Sequence, residues 1–82
     1  MKDKEKILEL ISEMIVSTNI IDALTKIEAI TERTEIVIID RIYKEYLYGR
    51  DIILQILDID STYELAVEEL PKYNSIIEEF KK

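Results

Sequence analysis

Asp58, Asp60, Thr62, Glu64 and Glu69 bring five oxygen-bearing side chains into twelve residues. A calcium loop of that length uses acids at positions 1 and 3, an oxygen at 5, an apolar residue at 8 and an acid at 12. Asp58, Asp60, Thr62, Leu65 and Glu69 fill those positions in turn. The sharp turn at position 6 requires Gly, however, and Tyr63 stands there; position 9 is Ala66, which offers no ligand. Helix capping explains the same residues without a metal. In Ser61-Thr62-Tyr63-Glu64 the serine hydroxyl can accept from the third amide of a helix while the glutamate reaches back. No metal and no cofactor is therefore assigned.

Few other chemistries are open. The 82 residues include no His, no Cys and no Trp, with one Gly and one Pro. Zinc, haem and iron–sulfur sites built on Cys or His are excluded, as are Cys or His nucleophiles and His bases. One glycine cannot make a phosphate-cradling loop. A helical chain this short has little room for a pocket of roughly 300 Å3. The expectation is a protein that is not an enzyme and has no small-molecule substrate.

Two side-chain groups suit protein contact instead. Tyr43, Tyr46 and Tyr48 cluster in sequence, and tyrosine offers a large amphipathic surface with few rotatable bonds. Tyr48 is the expected exposed contact. Glu64, Glu68 and Glu69 head the acid-rich end of the chain. Residues 51–82 hold 8 acids and 3 bases, so they carry −5 of the −7 net charge. Such a surface can imitate nucleic-acid phosphates toward a basic groove, or can simply keep a small protein solvated. The candidate partner-binding residues are Tyr43, Tyr46, Tyr48, Glu64, Glu68 and Glu69.

Thr25 to Tyr46 could form a helix-turn-helix, joined near Arg33-Thr34-Glu35 with Ala29, Ile39 and Ile42 at tight-packing positions. This segment resembles the trihelical part of winged-helix regulators, and the resemblance implies DNA binding by a helix starting near Ile36. The usual turn glycine is absent, Val37 and Ile38 would face the DNA, and the bases nearby are Arg33, Arg41 and Lys44 among several acids. Affinity for DNA rests largely on phosphate neutralisation, which a chain of net −7 supplies poorly.

The elements that would position these groups are helical. Asp3 is a plausible N-cap for residues 4–17, where Ile7, Leu8, Ile11, Met14 and Ile15 recur at helical spacing. Ser17-Thr18-Asn19 predicts a break, followed by a second helix carrying Ile20, Ile21, Leu24, Ile27 and Ile30. Residues 35–48 predict a helix buried on most sides, ended by Gly49 as a left-handed C-terminal residue. Ile52, Ile53, Ile56 and Leu57 predict a short inward-facing helix over 51–59. Pro71 predicts a break or a first-turn position before the pattern Tyr73, Ile76, Ile77, Phe80.

The whole is expected to be all-α: one domain, residues 1–82, a compact bundle of four to six short helices with 35–48 the most buried. Apolar residues make up 48% of the chain and seventeen are Ile. A fold of this size buries only about 60–65% of its unfolded surface, so large apolar side chains should stay outside. The expected function is a small acidic protein–protein interaction module, either a homodimer or an inhibitor or adaptor docking on a larger partner. The alternatives are an acidic nucleic-acid mimic and a degenerate helix-turn-helix regulator. No signal segment or membrane span is read, so the expected setting is cytoplasmic, without membrane or nucleic-acid partners.

Overall fold

The computed structural model describes residues 2–31 and 36–81. Among them the chain forms three α-helices: α1 (Lys2–Thr31), α2 (Ile36–Ile59) and α3 (Glu64–Lys81). The described residues contain no strand. The all-α expectation holds, but the count of four to six does not, because the breaks expected at Ser17-Thr18-Asn19, Gly49 and Pro71 lie within continuous helices.

The reasons are local. In α1, Thr18 Oγ1 donates to the Met14 carbonyl at 2.9 Å, and Ser12 and Thr25 do the same to Leu8 and Ile21 at 3.0 and 2.8 Å. A hydroxyl satisfied on the carbonyl four residues back no longer competes with the helix for a cap. Ser17 is 1% exposed and donates across to the Glu45 carboxylate at 2.8 Å. Gly49 lies inside α2, not after its end. A Cβ at Gly49 would stand 2.5 Å from Cε2 of Tyr73, so the glycine is there for close approach of α3. Pro71 is exposed within α3. Its missing N–H removes one backbone bond to Val67, a local cost that the helix tolerates.

Helix starts also differ from expectation. Asp3 falls in the first turn of α1, which begins at Lys2. Before α3 the Asp60 carboxylate accepts from the Thr62 amide at 3.1 Å and the Thr62 hydroxyl at 2.9 Å. The first helical bond then runs from the Val67 amide to the Tyr63 carbonyl. Among the described residues Ser61 and Glu64 make no reciprocal pair, so an Asx turn replaces the capping box.

α2 is the spine. Tyr48 reaches Glu13 and Ser17 reaches Glu45, which sets α1 antiparallel to α2. Tyr43 meets Phe80 and Arg50 meets Asn74, which sets α3 antiparallel to α2. The core joins Ile7, Leu10 and Met14 of α1 to Ile52, Ile53 and Ile56 of α2 and to Ala66 and Tyr73 of α3. Ile52, Ile53 and Ile56 are each 0% exposed. The most buried stretch is therefore the C-terminal half of α2, not residues 35–48. Val37 is 75% exposed, because α3 ends beside Tyr43 and leaves the first turns of α2 covered by α1 alone. Glu35 lies outside the described residues.

Candidate functional site

α1 and α3 both pack on α2, yet among the described residues no Cα of one comes within 8 Å of a Cα of the other. Two helices that share a spine without close backbone approach leave a groove between them. That groove has a volume of 470 Å3. It is larger than the sequence led us to expect, since a helical chain of this length was expected to have little room for a pocket of roughly 300 Å3. Ile11, Ile15 and Ile21 form the α1 wall, and Leu65 and Ile76 the α3 wall, with Tyr46 and Tyr73 at the floor. Asp22, Glu69 and Lys72 supply its charged lining.

The wall exists because α1 is apolar on two faces. Ile7, Leu10, Met14 and Ile21 are buried. Leu8 and Ile15, from the same periodic stripe in the sequence, are 54% and 57% exposed. A helix apolar around most of its circumference is ordinarily covered around most of its circumference. One scaffold neighbour leaves that condition unmet.

The six candidate residues do not converge. Tyr43 and Tyr46 are half-buried and tie α2 to α3: Tyr43 lies 5.4 Å from the Phe80 ring, and Tyr46 lies 5.5 Å from Tyr73, edge-on. Tyr46 also forms groove floor. Tyr48 is exposed, as expected, but its hydroxyl faces Glu13 of α1 at 3.5 Å. Glu64 and Glu68 are exposed, whereas Glu69 is half-buried on the groove wall, 3.5 Å from Lys72. Ile15, Leu65 and Ile76 were missed as site residues. The available signal was the second apolar face of α1, which the first helical stripe straddled.

Two phenols respond to these surroundings. Burial pushes the Tyr46 hydroxyl above its ordinary pKa of 10.0, helped by Tyr73 and Asp22. Burial also raises Tyr48, and the Glu13 carboxylate that accepts its hydrogen bond raises it further.

The other motifs behave as follows. Among the described residues no three acids converge to hold a metal ion, and Asp60 is engaged by Thr62. Arg33-Thr34-Glu35, the proposed helix-turn-helix joint, lies outside the described residues. Arg41 pairs with Glu45 at 3.3 Å and Lys44 with Asp40 at 2.8 Å, so these two bases of the segment are engaged on their own helix. Among the described residues no helix is long and apolar enough to cross a membrane.

Compared with protein-family models, curated proteins and solved structures, the chain finds no match. Function must be argued from the groove itself.

Proposed function

We propose that the chain is a protein–protein interaction module that receives an apolar helix face in the groove between α1 and α3. The observation that carries this is the groove's wall of isoleucine and leucine, beside an α1 face that stays exposed among the described residues. A groove lined by aliphatic side chains and edged by charge fits helix-in-groove recognition. Catalysis is not proposed: of the groove's charged groups Glu69 and Lys72 face each other at 3.5 Å, and Asp22 is the third.

The test uses isoleucine methyl NMR. An amphipathic helical peptide of Leu and Lys is titrated into the protein at low salt and at ~0.5 M salt, where screening shortens to a few ångströms. Shifts at Ile11, Ile15 and Ile76 but not at Ile53 are expected, surviving high salt and disappearing in Ile15→Glu. Binding that vanishes with salt, and is lost on reversing Glu64 and Glu68 to Lys, would replace the groove by the acidic surface of α3. That outcome would favour the nucleic-acid-mimic reading.

A further inference from the structure

Along α1 the groove side is a single stripe: Lys4, Leu8, Ile11, Ile15, Thr18 and Asp22. Their spacing alternates four and three, the seam of a coiled coil. Ile11, Ile15, Thr18 and Asp22 line the groove, and Lys4 and Leu8 line a second depression beside Tyr63. Leu8, Ile15 and Thr18 are exposed, as are the two charged ends. Thr18 has its hydroxyl turned back onto the Met14 carbonyl. Among the described residues neither Lys4 nor Asp22 makes an ion pair within the chain.

The stripe is complementary to itself when reversed. In an antiparallel pair with its two-fold axis beside Glu13, Ile11 meets Ile15, Leu8 meets Thr18, and Lys4 meets Asp22. Each contact occurs twice, as an isologous interface requires. A parallel pair would instead set Lys4 against Lys4 and Asp22 against Asp22. The paired span is about 27 Å at 1.5 Å per residue. In this register the neighbouring row, Glu5, Ser12, Asn19 and Lys26, sets Glu5 near Asn19 and Ser12 near its own copy, so it brings no like charges together.

We infer that the groove's occupant is α1 of a second copy of this chain, antiparallel, in the register that pairs residues 4, 8 and 11 with 22, 18 and 15. This rests on the groove reading above and names its partner. Each copy then covers the exposed apolar face of the other's α1, and α3 flanks the incoming helix through Leu65 and Ile76.

The test is molar mass in solution by light scattering, combined with cross-linking. The chain has no cysteine. Ile11→Cys and Ile15→Cys chains can therefore be mixed and oxidised to report register. The expected result is a dimer of the 9.7 kDa chain. The mixed 11–15 disulfide should form at several times the yield of either protein alone. Ile15→Glu should give a monomer with unchanged helical circular dichroism, because the side chain is exposed in the single chain. Asp22→Lys should weaken the dimer at least tenfold, and adding Lys4→Asp should restore it. A monomer that takes the helical peptide into its groove would overturn the second-copy inference and leave the groove reading standing. A dimer indifferent to Ile15→Glu, or a monomer that takes no peptide, would overturn both.

Discussion

Gly49 shows how one missing side chain sets an inter-helix distance. The Tyr73 ring lies where a Cβ would be, and that ring is itself 6% exposed and held edge-on by Tyr46. Gly49→Ala should gain about 1 kcal/mol in helix propensity and lose about 1–3 kcal/mol through overpacking. A rigid ring packed on both sides yields less than a flexible chain, so net destabilisation of about 1 kcal/mol is expected. Denaturant titration checks this, and Tyr73→Leu in the same chain should cancel the added cost. If alanine alone stabilises the protein, the close approach is looser than described. Ser17 makes a related point. It looked like a cap in sequence, and it is a buried donor to Glu45 that fixes the register of α1 on α2.

Among the elements, α3 carries the clearest conflict between local preference and tertiary packing. Pro71 interrupts its backbone ladder at an exposed position, while Ala66, Tyr73 and Ile77 on its buried face hold it to α2. Pro71→Ala should raise stability by about 2 kcal/mol and shift the thermal midpoint up several degrees. Scanning calorimetry checks this; an unchanged midpoint would mean that the lost bond to Val67 costs nothing. Helical content was legible throughout from period-3.6 patterning, and so was the inward face of residues 52–56. The joins were not legible. Ser17-Thr18-Asn19, Gly49 and Pro71 have end-of-helix propensities, and propensity yields when a side chain finds a partner inside the helix or on its neighbour. Of the site, the tyrosines and acids stood out by type, whereas the groove wall did not. Its residues are aliphatic, and only the arrangement of α1 against α3 distinguishes Ile15 from a core isoleucine such as Ile53.

At the scale of the whole molecule, the two raised phenols link the helices to pH. Tyr46 is packed against α3 and Tyr48 is hydrogen-bonded to α1. Both hydroxyls hold their protons more tightly folded than unfolded. The folded chain thus binds more protons than the unfolded one just above pH 10. The stabilisation is complete below that value and is lost as pH rises through the raised pKa values. Chemical denaturation at a series of alkaline pH values should show stability falling above about pH 10. Tyr46→Phe should flatten the decline, and an identical slope in that variant would remove Tyr46 as its source. The charge distribution also belongs to this scale. It meets the stripe of α1 at Glu69, which lines the groove, and at Asp60, which lies beside Lys4 and Leu8.

The arrangement of α1 and α3 on a shared spine has a kinetic consequence as well. Among the described residues the close backbone approaches join neighbours along the chain, first helix to second and second to third. No distant segment must be found before a packed pair can form, so the entropy of closing long loops hardly enters the barrier. Either hairpin can nucleate by itself, and the remaining helix then needs only to fold back across one short connection.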